Sequence, residues 1–145
     1  MPDRPLKRIL MLDDDPDLLG VVVLALSGLG GYTVEACASP AEGLERARSF
    51  APDLILLDVM MPGMDGFTTL QALRRIETTV DTPVVLVTAV VEPSDLALYD
   101  ELGVAGVVPK PFDPGTLPET LEELWKDHLV GRRLGTRLAE VDGAS

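Results

Sequence analysis

The chain has 145 residues, with 24 Asp and Glu against 12 Lys and Arg, a net charge of −12. That length suits one domain with a full core, and that charge repels a phosphate backbone, which excludes direct nucleic-acid binding and favours cationic partners. A single cysteine, Cys37, and a single histidine, His128, exclude a disulfide scaffold and a Cys/His zinc site, so any chemistry falls to carboxylates, hydroxyls and lysine. No apolar run is long enough for membrane insertion. The start, Met1-Pro2-Asp3-Arg4-Pro5, has no features of a secretory leader, and the cytoplasm is the expected location.

The first apolar run, Ile9-Leu10-Met11-Leu12, suits a strand buried on both faces. Asp15-Pro16 then supplies an N-cap and a first-turn proline for a helix reaching Leu29, ahead of Gly30-Gly31. That helix is apolar nearly all round at Val21, Val22, Val23, Leu24 and Leu26, more than a one-sided helix requires, which marks a contact surface. Tyr32 to Cys37 alternates apolar with polar residues, as an edge strand does. Ser39-Pro40 with Glu42 forms a capping box for a second helix running to about Phe50. Leu54-Ile55-Leu56-Leu57 is a second buried strand, and Asp65-Gly66 precedes a third helix with Phe67, Leu70 and Leu73 at helical spacing. Val84 to Val87 follows as a strand, a helix after Pro93-Ser94 ends at Gly103, and Val104 to Val108 is the last strand. Thr116-Leu117-Pro118-Glu119 reads as another capping box, opening a helix with Leu117, Leu121, Leu124, Trp125 and His128 near one face.

Five strands alternating with five helices predict an α/β domain with a doubly wound, five-stranded parallel sheet. The edge-like strand is second in sequence, which fits the order 2-1-3-4-5 and puts ligands at the carboxyl ends of the strands. The loops there begin with Asp13-Asp14-Asp15, Asp58, Thr88-Ala89 and Lys110-Pro111. Clustered carboxylates raise one another's pKa unless a cation neutralises them, and an all-oxygen set favours Mg²⁺, or Mn²⁺ in its place. A hydroxyl and a lysine facing that cation complement the oxygens of a phosphoryl group, and Asp58 between them is the candidate nucleophile. Asp15, before a proline, is read as an N-cap and not as a ligand. Pro109 and Pro111 enclose Lys110 in a rigid frame.

Four segments carry a family resemblance: Ile9 to Asp15 (ILMLDDD), Asp53 to Gly66 (DLILLDVMMPGMDG), Val87-Thr88-Ala89 and Val108-Pro109-Lys110-Pro111-Phe112. From Leu6 to about Leu129 the chain resembles the response-regulator receiver family of two-component signalling. The resemblance implies a flavodoxin-like receiver domain over 1–129, and residues 130–145 depart from it as a C-terminal extension, either a short helix or a frayed tail. Leu129, Val130, Leu134, Leu138 and Val141 could line one side of it, with Arg132, Arg133 and Arg137 opposite. It also implies that Asp13, Asp14, Asp58 and the backbone carbonyl of Met60 hold Mg²⁺. Asp58 would take a phosphoryl group from a phosphohistidine on a sensor histidine kinase or histidine phosphotransfer protein. Thr88 would hydrogen-bond a phosphoryl oxygen, Lys110 would pair with it across a cis peptide to Pro111, and Ala89 would follow Thr88.

The family usually carries Tyr or Phe three residues before the lysine, where this chain has Val107, so the aromatic half of the switch is missing and output is differently built. The implied partners are the phosphodonor protein, which with self-association is a candidate for the first-helix surface, and a downstream protein target. A homodimer is a further implied assembly. No enzymatic activity is implied beyond self-catalysed phosphotransfer and autodephosphorylation. Two other readings use the same residues. One is a receiver-like interaction module that never takes phosphate. The other is a haloacid-dehalogenase-type phosphatase with Asp13 as nucleophile and Asp15 as acid/base, which leaves the stretch around Asp58 unexplained.

Overall fold

The computed structural model describes residues 4–61, 65–89 and 93–131. In chain order the elements are β1 (Arg8–Leu12), α1 (Pro16–Leu24), β2 (Thr33–Cys37), α2 (Pro40–Phe50), β3 (Leu54–Leu57), α3 (Gly66–Arg74), β4 (Val84–Thr88), α4 (Leu96–Glu101), β5 (Val104–Pro109) and α5 (Leu117–Leu129). The strands are parallel in the order β2-β1-β3-β4-β5, as the alternation of elements predicts. Among the described residues no helix is long and apolar enough to cross a membrane.

The uninterrupted apolar runs follow from two-sided burial. Successive strand residues point to opposite faces. Ile9, Met11, Leu54, Leu56, Val85 and Val87 therefore pack with α1, the helical turn that follows it and α5 through Leu19, Val22, Leu26, Leu121 and Trp125. Leu10, Leu12, Ile55, Leu57, Val84 and Leu86 pack on the other side with Ala47, Phe50, Leu70, Leu73 and Tyr99. Each fully buried leucine or isoleucine contributes roughly 2 kcal/mol, so the sheet itself holds the fold and can carry buried carboxylates at its rim. β2 is less covered, with Val34, Glu35 and Ala36 half-buried, which explains its alternating sequence.

Local capping sets where the helices start. The Asp15 carboxylate accepts from the amides of Asp17 (3.0 Å) and Leu18 (3.3 Å), Ser39 Oγ accepts from Glu42 N–H (3.3 Å), and Asp65 Oδ1 accepts from Thr68 N–H (2.8 Å). Thr116 departs from expectation. Its backbone is already helical (φ −100°, ψ −5°), and its hydroxyl donates back to the Asp113 carbonyl at 3.1 Å in place of capping α5. Asp113 organises that turn, accepting from Gly115 N–H at 2.8 Å. The first helix also differs, because its α-helical part gives way to a π-helical turn over Ala25–Leu29 before Gly31 takes a positive φ of 74°.

The apolar excess of the first helix faces outward. Val22 and Leu26 are buried, whereas Val21, Leu24 and Leu29 are 45%, 74% and 72% exposed. α5 ends at Leu129, and Gly131 just beyond its cap takes a φ of 80°; past Gly131 the expected extension lies outside the described residues.

One close approach links the fold directly to the rim. A Cβ built on Gly66 would stand 2.4 Å from Val59 Cβ and 2.9 Å from Val59 Cα, so the first turn of α3 rests on the residue after Asp58. Gly66→Ala is expected to destabilise the domain by about 1–3 kcal/mol through this overlap. Urea unfolding checks it, and an unchanged midpoint would show that the contact is not tight.

Candidate functional site

Strand register assembles the site. Leu12 pairs with Leu57, Leu57 with Leu86, and Thr88 with Pro109, so the residues that follow each strand emerge at one rim. Asp13 N–H donates to the Cys37 carbonyl (3.1 Å), Asp58 N–H to the Leu12 carbonyl (2.9 Å) and Lys110 N–H to the Thr88 carbonyl (3.0 Å). The ladder thus continues into the loops and fixes the backbone from which each functional side chain departs.

Asp13 is wholly buried and Asp58 nearly so, at 5% exposure. Asp13 Oδ1 accepts from Asp15 N–H (3.0 Å) and Asp58 Oδ1 from Met60 N–H (2.9 Å). Lys110 Nζ then donates to Asp13 Oδ2 (2.7 Å) and Asp58 Oδ2 (3.2 Å), bridging both carboxylates. Burial alone would lower the lysine pKa, but its hydrogen bonds to Asp13 and attraction to Asp13 and Asp58 outweigh that and raise it. The ammonium therefore stays charged where it stands.

Asp14 is exposed, yet Asp13, Asp14 and Asp58 each offer a carboxylate oxygen and all three atoms lie within 4.8 Å of one another. Three carboxylates against one ammonium leave an excess of negative charge, and the donors are all hard oxygens. That set fits Mg²⁺. Of the Met60 peptide, the N–H is turned to Asp58, and the side chain is exposed. Thr88 is buried at the end of β4, Ala89 is exposed beyond it, and the Lys110–Pro111 peptide is cis. The Asp15 carboxylate caps α1, an engagement that takes it away from the acid/base role that the phosphatase reading requires.

The sequence pattern brings all these residues to one rim but carries no sign of two relationships. Lys110, expected opposite the acidic side, has its ammonium on Asp13 itself. Val107, in place of the usual aromatic, gives no hint of its surroundings. Val107 is half-buried and packs against the cluster containing Tyr99 and Phe67, whose rings stack at 4.5 Å and 6°. Helical spacing marked Phe67; no comparable signal marked Tyr99.

The profile of the response regulator receiver domain family matches residues 9–122. The chain belongs to this family. It is 41% identical over 106 residues to the DNA-binding dual master transcriptional regulator RpaA of Synechocystis sp., covering 73% of this chain and 44% of that one. It is 36% identical over 115 residues to the DNA-binding response regulator MtrA of Mycolicibacterium smegmatis, covering 79% and 49%. The chain thus spans about half the length of the curated relatives it matches. Among solved structures, chemotaxis protein CheY4 of Vibrio cholerae superposes with a TM-score of 0.76 at 32% identity, over 83% of this chain and 99% of that one. The receiver domain of HemR from Leptospira biflexa does so at 0.73 and 29%, over 82% and 94%. The protein is therefore a receiver of a response regulator in two-component signalling, a family of signalling phosphoacceptors that typically binds Mg²⁺ at an acidic pocket.

The bridging ammonium has a measurable consequence for this receiver. Removing one partner of a buried pair leaves an uncompensated charge, while partial exposure of Lys110 moderates the cost. Lys110→Met in EDTA is expected to lose about 1–3 kcal/mol in denaturant unfolding, and no loss would mean that the lysine is not needed to hold the carboxylates.

Proposed function

We propose that Asp58 is the phosphoacceptor of a phosphorelay and that Mg²⁺ is held by Asp13, Asp14, Asp58 and the Met60 carbonyl. The observation that carries this reading is the Lys110 ammonium bridging Asp13 and Asp58 beside the three convergent carboxylates. A carboxylate oxygen of Asp58 attacks the phosphorus of a phosphohistidine, the phosphorus–nitrogen bond breaks, and an acyl phosphate forms as the imidazole leaves. When bound, the cation neutralises the acidic side and the oxygens of the transferring group. Lys110 pairs with a phosphoryl oxygen and the Thr88 hydroxyl donates to another, with Ala89 following Thr88. Val107 contributes no ring, and the neighbouring Tyr99–Phe67 stack is the aromatic group available to sense the change.

The proposed donor is a sensor histidine kinase or histidine phosphotransfer protein, in the cytoplasm, and the exposed Val21 and Leu24 form part of its docking face. The receiver unit is assigned to 1–129, with self-association as a second use of exposed apolar surface. The net charge of −12 favours output through a protein target over direct contact with DNA. The relatives named as DNA-binding are about twice as long as the segment they share with this chain.

Incubation with Mg²⁺ and a small phosphodonor is expected to give an acid-stable, base-labile label on Asp58. Asp58→Asn should abolish it, and Asp14→Ala should abolish both the label and its Mg²⁺ dependence. Label lost only in Asp13→Asn would instead support the phosphatase reading, and none in the wild type would support the silent module. With a donor kinase, Val21→Glu with Leu24→Glu should block transfer while leaving labelling by the small donor intact; unchanged transfer would remove this face from the docking surface.

A further inference from the structure

The end of the sheet opposite Asp58 carries a groove that the phosphoryl chemistry does not use. Its floor is tied together by Arg74, whose guanidinium donates to the carbonyls of Thr79, Thr82 and Leu102 (2.7 Å each) and Gly103 (3.3 Å). One cation thus staples the turn after α3 to the turn after α4. Around this staple open two cavities of about 590 and 380 Å³, which share Val80, Asp81 and His128. The larger is walled by the carboxylate-bearing residues Asp81, Asp100 and Glu101 beside apolar surface from Val80 and Leu102, and Gly131 stands at its edge.

We propose that this groove holds the chain's own basic segment 132–137, with Arg132 and Arg133 pairing with Asp81 and Glu101. Three observations converge on that occupant. Gly131, the last described residue before that segment, lines the cavity. The six residues Arg132-Arg133-Leu134-Gly135-Thr136-Arg137 hold three guanidinium groups and no acid, in a chain whose net charge is −12. Asp81 and Glu101 make no ion pair with another described residue, and the Arg74 guanidinium beside them is directed to four backbone carbonyls.

Tethering makes such weak pairs effective. A surface ion pair contributes little between separate molecules, but a segment joined directly to the groove's edge is presented at millimolar or higher effective concentration. Asp100 and Glu101 belong to the last turn of α4, and Val104 and Ala105 to the start of β5, so the docked segment would clasp α5 to the α4–β5 connection. The pairing does not depend on whether Asp58 takes a phosphoryl group, and it is tested in the unphosphorylated protein.

Amide hydrogen exchange of the full chain, read by mass spectrometry on the peptide containing residues 132–137, decides it. Asp81 and Glu101 are exposed, but Asp81 also favours the Arg74 charge, so in Asp81→Lys with Glu101→Lys the exchange of sheet peptides is read alongside to separate local release from general loosening. This variant is expected to exchange the segment roughly five- to tenfold faster. Adding Arg132→Asp and Arg133→Asp should bring the protection back. Equal exchange in the wild type and the double lysine variant, whether fast or slow in both, would overturn the proposal, as would failure of the charge swap to restore protection. Protection that rises with protein concentration would assign the groove to a second copy's segment and equally overturn docking within one chain.

Discussion

Two carboxylates that the fold buries, Asp13 and Asp58, share the ammonium of Lys110 at 2.7 and 3.2 Å, and the arrangement of the rim follows from that sharing. Burying an ionised group is costly unless it is paired. Each member of the trio leaves a different strand, so it can meet the others only if β1, β3, β4 and β5 are parallel and end level. The leucine-rich interior supplies the stability that lets such a polar cluster persist at its edge. Structure and chemistry are therefore joined at the register of the sheet, and the same lysine that balances charge at rest is the one proposed to pair with a transferred phosphoryl group.

Beside the rim the packing is aromatic, though not at position 107. Val107 offers a small aliphatic surface on β5, while Tyr99 from α4 lies buried against Phe67 from α3 in a near-parallel stack. Phe67 follows closely on Gly66, whose backbone touches Val59 next to Asp58. Packed contacts of this kind pass on small displacements because a close-packed interior cannot deform continuously. A route from the rim through α3 to α4 is thus physically available in a receiver that lacks a ring at position 107.

Much of the fold was legible because two-sided burial leaves a simple mark. Leu54 to Leu57 and Val84 to Val87 read as strands since every residue in them is buried, and Asp15, Ser39 and Asp65 read as helix starts because capping is local chemistry. The rim was legible for the same reason: each strand's first polar successor had to emerge there. Thr116 misled, since the capping pattern was present but Asp113 had already organised the turn. The bridge from Lys110 to Asp13 spans 97 positions in the chain and has no local signature. Tyr99 lies in a helix of six residues, too short to show periodicity, and the groove beneath the sheet gathers residues from turns with no shared pattern.

The Lys110 ammonium, seated on Asp13 and Asp58, is a resident competitor for the carboxylates proposed to hold Mg²⁺. Calorimetric titration of Mg²⁺ into the wild type and Lys110→Ala tests this most directly, because removing the competitor should tighten binding by roughly tenfold or more. Equal or weaker Mg²⁺ binding by Lys110→Ala would contradict it.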